Sequence, residues 1–346
     1  MHSALIPPSF TQVSPSDANM GGCGSCLTDP DNQSFAIDRP IGKAPSSSPS
    51  QYPTIVRALR SYQIRKQAKS LLLVWTNEAE PLLAVPDMMT REAEDTEKRL
   101  PEFEYNLGLP TGQVRGPIRL PSKSVYFGEW GEDGTITGRG RMYLPEGGLW
   151  EGYWNRGELH GFGRIVYANG DYYEGDFNFN KRHGRGEYHN AALRSIFQGE
   201  WRDDQPDGEG EETHENAFYQ GNFSQGLKHG QGKYHWPDGS VYAGHFKANM
   251  LDGQGEYLWF DGRKYVGMWR ENKMHGQGVF TWPDGRRYEG EFVEDKKEGE
   301  GKYVWAGKVY EGGWRAGKMH GKAVLCNPAT GKRFLVIFEN GQLAQV

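Results

Sequence analysis

The sequence predicts an all-β chain: an elongated array of antiparallel β-hairpins, preceded by a disordered tail and a short N-terminal helix. Three observations lead there. The pattern aromatic-x-Gly-x-aromatic occurs nine times between Tyr126 and Trp314, at intervals of 22 to 24 residues. Within each copy the aromatics and glycines alternate at a period of two, which is the strand period. The chain also holds 48 glycines, with 36% hydrophobic and 25% charged residues, a composition for a thin sheet rather than one deep globule. Self-similarity at such an interval marks a repeat array, whose units complete their cores against their neighbours.

Residues 1–53 are rich in Ser, Pro, Gly and Asn without periodicity and are expected to be disordered. They contain Met20-Gly21-Gly22-Cys23-Gly24-Ser25-Cys26. Read from Met20, this is a myristoylation pattern at Gly21, with Cys23 and Cys26 beside it for palmitoylation. One acyl chain holds a membrane weakly and two hold it stably. Acylation of Gly21 requires initiation at Met20 or removal of the residues before it. Otherwise the segment is a glycine-rich linker with two free thiols. The third cysteine, Cys326, lies far along the chain, so neither a disulfide framework nor a zinc site is expected.

Residues 54–75 carry five basic and no acidic residues, with Ile55, Ala58, Leu59 and Tyr62 at helical spacing and Thr54 placed to cap. A basic amphipathic helix suits a calmodulin-like protein or a membrane surface. The segment resembles a degenerate IQ motif at Ile55, Arg60, Ser61 and Arg65, although Val56 replaces the defining glutamine. Equally, the helix can cover the open end of the sheet, because bare edge strands are liabilities. Residues 76–121 read as an irregular linker with one short charged helix near Thr90 to Arg99.

The array is expected over 122–340, with 341–346 as a C-terminal end. One unit runs Tyr265-Val-Gly267-Met-Trp269, five polar or long residues, His275-Gly276-Gln-Gly278-Val-Phe280-Thr-Trp282, then Pro283-Asp284-Gly285. Aromatics and glycines share one face of both strands, and Gln277, Thr281, Glu289 and Glu291 take the other. Pro-Asp-Gly is a turn, because proline presets φ and glycine accepts a positive φ. Glycine weakens a strand unless something approaches closely. Each Gly-x-Gly is therefore read as a slot for a nearby ring, with Trp269 seated against Gly276. The core positions are Tyr126, Trp130, Trp150, Trp154, Tyr173, Trp201, Tyr219, Tyr242, Tyr265, Trp269, Tyr288, Tyr310 and Trp314. A worn tenth copy spans Phe334 to Phe338.

These units resemble the MORN repeat (membrane occupation and recognition nexus), whose pattern is Tyr-x-Gly-x-Trp-x-x-Gly-x-x-His-Gly-x-Gly. Asp207 and Glu298 stand where the pattern has histidine, and Ala323 replaces a glycine in the ninth copy, as suits a terminal cap. The resemblance implies a repeat-only, non-enzymatic scaffold that binds protein partners at cytoskeletal, ciliary or membrane-cortex structures. Its alternatives are a regulatory subunit that positions a phosphoinositide-modifying enzyme, and direct phospholipid binding by the repeats.

Charge bears on these readings. The net charge is −5, and an acidic array argues against nucleic acid and, on average, against anionic lipid. Lys228, Lys273, Lys296, Lys297 and Lys318 fall in corresponding loops, where they are either solvated or a local lipid patch. His160, His183, His229, His275 and His320 share one repeat position. Units two strands apart place them roughly 9 to 10 Å from one another, too far for one metal, so a role bonding the hairpin turn is expected. Gly-x-Gly never extends to a nucleotide-binding glycine loop between strand and helix, and no cofactor is expected. No apolar run is long enough to span a membrane, and the first residues lack a secretory signal. A cytoplasmic setting is expected.

Overall fold

The structure, a computed structural model, describes residues 80–82, 84–105 and 112–345. The tail and basic segment, with Gly21, Cys23, Cys26, Ile55, Arg60, Ser61 and Arg65, lie outside the described residues. β1 (Glu80–Pro81), α1 (Arg91–Arg99) and β2 (Gln113–Arg119) come first. Two strands per unit follow: β3 (Val125–Trp130), β4 (Ile136–Tyr143), β5 (Leu149–Asn155), β6 (Glu158–Val166), β7 (Tyr172–Asn178), β8 (Lys181–Asn190), β9 (Ser195–Arg202), β10 (Gln205–His214), β11 (Ala217–Ser224) and β12 (Leu227–His235). The series continues as β13 (Val241–Lys247), β14 (Met250–Leu258), β15 (Lys264–Arg270), β16 (Lys273–Thr281), β17 (Arg287–Val293), β18 (Lys296–Trp305), β19 (Lys308–Arg315) and β20 (Lys318–Asn327). It closes with β21 (Lys332–Glu339) and β22 (Gln342–Gln345).

Every strand pairs antiparallel with its sequence neighbour, giving one open meander of 22 strands. The sheet exceeds the expected limits of 122–340 at both ends, because β2 pairs with β3 and β22 with β21. Ala323 is therefore not a terminal position. It faces Val336 of β21 and is buried, and Phe338 packs edge-on against Tyr310 with ring centroids 5.7 Å apart.

One face of the sheet holds the aromatic core. All thirteen expected core aromatics are at most 7% exposed. From Trp201 to Trp314 each fifth-position ring sits edge-on to the first ring of its own copy and of the preceding one: Trp269 lies 5.1 Å from Tyr265 and 5.7 Å from Tyr242. The tyrosine hydroxyl donates to the carbonyl three residues on, as from Tyr265 to Met268 at 2.9 Å. The same bond forms at Tyr219, Tyr242 and Tyr288. Trp154, Trp201 and Trp269 donate through Nε1 to Gly140, Gly186 and Gly255 of the preceding unit. Packing and polar satisfaction thus repeat together.

The two glycines of each Gly-x-Gly have different roles, which corrects the expected slot. The second one is the slot, filled by a tyrosine at Gly140, Gly186, Gly232, Gly255, Gly278 and Gly301 and by Phe197 at Gly210. A Cβ on Gly278 would meet Cε2 of Tyr265 at 2.5 Å. Gly276 has only Met268 nearby, at 3.4 Å, but its φ is +63°, a conformation that L side chains rarely adopt. It sits where β16 carries extra residues against β15, a bulge that bends the strand.

The polar stretch between Trp269 and His275 is a two-residue turn with both φ positive, +50° at Glu271 and +68° at Asn272. Such a turn matches the twist of a tight hairpin. Asn272 N donates to Leu251 O at 3.0 Å, and Leu251 N donates to Asn272 Oδ1 at 2.8 Å. Asn180, Asp204, Asn249 and Asp295 make the same reciprocal pair one unit back. Gly157, Gly226, Gly317 and Gly341 make the backbone half of it. A hydrogen-bonded ladder therefore runs along this edge of the sheet.

Candidate interaction surface

The second face of the sheet is read from the strand register. One row crosses every strand from β4 to β16, beginning Arg141, Glu151, Arg164 and Glu174 and ending Glu256, Val266 and Val279. Over β4 to β7 the chain itself covers this face. Thr90 caps α1 by accepting from Ala93 N. It also ties the helix to the sheet, its Oγ1 donating to Ala168 O and its N donating to Gly147 O. Ala93 is buried against Leu149 and Val166, and Glu97 pairs with Arg141 at 2.8 Å. The helix lies where the sequence places a short charged helix.

After α1, the segment Pro101-Glu102-Phe103-Glu104-Tyr105 runs back over the same face. Phe103 stacks on Phe162 at 5.6 Å and takes the Arg164 guanidinium over its ring at 5.3 Å. Tyr105 meets Tyr153 edge-on at 5.8 Å, under the Arg139 guanidinium. Arg164 also donates to Pro101 O and pairs with Glu174. The strap is held on arginines by its rings and the Pro101 carbonyl, and Glu102 and Glu104 are exposed. Sequence reading missed it, because Phe103 and Tyr105 belong to no period; their only signal is aromatics alternating with glutamates.

Beyond the strap the face opens as a trough of about 1480 Å³. It runs from Leu100, Pro101, Phe162 and Tyr172 at one end to Ala243 and Val266 at the other. Its lining holds Glu174, Glu187, Glu200, Glu209, Glu211 and Glu256 against two cations, Arg185 and Lys233. At the strap end, burial and then the charges of Glu187 and Glu174 push the Tyr172 hydroxyl up to about 12. At the far end Val266, Met268 and Leu258 are exposed. The trough thus has an acidic floor and apolar ends.

The loop lysines divide. Lys273, Lys296 and Lys318 are exposed at turn ends, but Lys228 and Lys297 are core residues. Lys297 is fully buried, its Nζ 4.4 Å from the Trp314 ring centre and 4.5 Å from that of Tyr303. A five-lysine surface patch therefore does not form. Of the five histidines, His320 bonds the next hairpin turn, while Nδ1 of His160 and of His183 is buried without a hydrogen-bond partner among the described residues. His320 Nδ1 accepts from Asn340 N, and Asp207, Asp252 and Glu298 accept from Gln225, Glu271 and Ala316 N. Where a carboxylate stands at this position it accepts from the turn as His320 does. Among the described residues no group of three or more His, Cys, Asp or Glu could hold a metal ion, and no helix is long and apolar enough to cross a membrane.

The MORN repeat model matches eight consecutive stretches: 150–172, 173–191, 197–216, 219–241, 242–262, 265–286, 288–307 and 310–328. The chain belongs to the MORN-repeat family. The Tyr126 copy lies before the matched stretches but folds as the hairpin of β3 and β4, in the same register, Gly128 facing Gly140. No curated protein matches the chain. Among solved structures, the chain is similar to the SAS-4 (dCPAP) TCP domain of Drosophila melanogaster in complex with a proline-rich motif of Ana2 (dSTIL). Identity there is 16% and the TM-score 0.28, over 54% of this chain and 96% of that one. The TCP10c domain of Drosophila melanogaster Sas-4 matches at 19% identity and TM-score 0.26, over 44% and 94%. The CPAP G-box domain matches at 13% and 0.25, over 66% and 100%. At these scores the likenesses carry no functional argument.

Proposed function

We propose that the chain is a non-enzymatic MORN-repeat scaffold that holds a protein partner along the trough of its second face. One observation carries this reading. The sheet uses its aromatic face for its own core, while among the described residues the strap covers the second face only over its first units and leaves a lined trough beyond. A long surface of that kind favours a protein segment over a small molecule, because the lining is open and spread over many strands. The family resemblance supports a cytoskeletal, ciliary or membrane-cortical setting in the cytoplasm. Tethering falls to the N-terminal segment, through acylation at Gly21, Cys23 and Cys26 and through binding of a calmodulin-like protein at residues 54–75.

The test is site-specific crosslinking in cells. A photoreactive residue at Gln220, in the trough, should capture a discrete partner band, and one at Pro237, on a turn, should not. Equal capture at both positions, or none at Gln220, overturns the reading. Direct phospholipid binding by the repeats has less support, since two of the five lysines it would use are buried.

A further inference from the structure

The strap shows in cis what this face accepts, and the charge along the face shows how its needs change. Pro101–Tyr105 rests on this face through the Phe103 and Tyr105 rings and the Pro101 carbonyl, against Arg164 and Arg139, and leaves Glu102 and Glu104 exposed. Under the strap Arg139, Arg141 and Arg164 pair with Glu129, Glu151 and Glu174 of the sheet, whereas past Glu174 glutamates outnumber cations, with Glu187, Glu200, Glu209 and Glu211 against Arg185 and Lys233 in the trough lining. Glu209 and Glu211 are exposed on β10, near the middle. The trough starts where the strap chain lies, at Leu100 and Pro101, so the covered and uncovered parts are one continuous surface.

Building on the scaffold reading, we propose that the trough takes a basic segment of a partner protein, with aromatic or aliphatic side chains between its lysines or arginines. It lies across the strands in line with the strap. Its cations meet the glutamates of β8 to β10, and its apolar residues reach the exposed Val266, Met268 and Leu258 at the far end. From β6 to β15 the trough crosses nine strand intervals, roughly 43 Å at the usual spacing. About thirteen extended residues would fill it. Charge complementarity of this kind sets partner choice and encounter rate more than raw affinity.

The probe is a synthetic peptide of tandem Pro-Lys-Phe-Lys-Tyr, the strap with its glutamates changed to lysine, and the control is tandem Pro-Glu-Phe-Glu-Tyr. Titrated into the full chain and read by fluorescence anisotropy, the lysine peptide should bind at least tenfold more tightly than the control. Glu209→Lys with Glu211→Lys should weaken it at least tenfold without lowering the melting temperature, since both side chains are exposed. Added salt should weaken it further. Equal binding of the two peptides, or lysine-peptide binding untouched by the charge reversal, overturns the proposal. So does binding that appears only after Arg60→Glu and Arg65→Glu, which would give the trough to the chain's own basic segment. If the peptide fails while the Gln220 crosslink still captures a partner, the chemistry assigned here falls and the scaffold reading stands.

Discussion

The Tyr265 side chain occupies the space where a Cβ on Gly278 would stand, one strand away in the same hairpin. This contact, repeated along the array, ties the choice of glycine to the choice of tyrosine. Gly278→Ala is expected to destabilise the sheet by about 1 to 3 kcal/mol through overpacking, and Tyr265→Ala by about 3 to 5 through cavity formation. In the double variant the alanine at 278 should cost far less than it does alone. Chemical denaturation of the four proteins measures that coupling, and strict additivity would mean the ring does not occupy the slot.

The turn ladder makes a second expectation. Asn272→Ala leaves Leu251 N without its side-chain acceptor and puts a Cβ residue without local hydrogen bonding at positive φ. A loss of about 1 to 3 kcal/mol follows. Asn272→Gly should cost less, because glycine already serves at Gly226 and Gly317.

Asp295 occupies the same turn position, and burial raises its carboxyl above the usual range, although the donation from Met274 N lowers it. The folded chain therefore binds that proton more readily than the unfolded one, and stability drains away as pH rises through the raised value. Asp295→Asn keeps the acceptor and removes the charge. Its stability should exceed the parent's at pH 7, and the difference should vanish below about pH 4. Melting curves at the two pH values decide it; a gain that persists in acid would point to something other than the carboxylate.

Lys297 fills a position that is Met274 and Met319 in neighbouring units, all three buried. Lys297→Met is expected to leave stability unchanged or raise it, since a buried charge is exchanged for an apolar side chain of similar volume. Lys297→Ala should cost about 2 to 5 kcal/mol by emptying the same space. A methionine variant that melts as early as the alanine one would show that the ammonium itself is required.

Membrane association, as proposed, depends on the tail. A chain initiated at Met20 should partition to membranes in cells, and Gly21→Ala should release it. Changing Cys23 and Cys26 together should leave an intermediate state, because a single acyl chain binds only marginally. Fractionation with the Gly21→Ala protein still on membranes would remove acylation as the anchor.

The hairpins and their aromatic core were legible because strand period and unit interval coincide in the sequence. Period alone, however, treats Gly276 and Gly278 alike, while register gives one the bulge and the other the slot. Lysine at 228 and 297 reads as solvent-facing until the rings around it are placed. Asn272, Asp295 and Gly317 read as ordinary turn residues, and only the fold reveals their common bond to the preceding unit. The trough was least legible, because its glutamates come from separate strands and gather only when those strands are laid side by side.

Every rung of that edge ladder points toward the N-terminus: Asn272 bonds to Leu251, Asp295 to Met274, Gly317 to Lys297 and Gly341 to Met319. A chain leaving the ribosome therefore closes each turn on a carbonyl already in place, and at Asn272 and Asp295 that same turn supplies the acceptor for the earlier unit's N–H. Synthesis and assembly share one direction, each new turn completing the edge of the unit made before it.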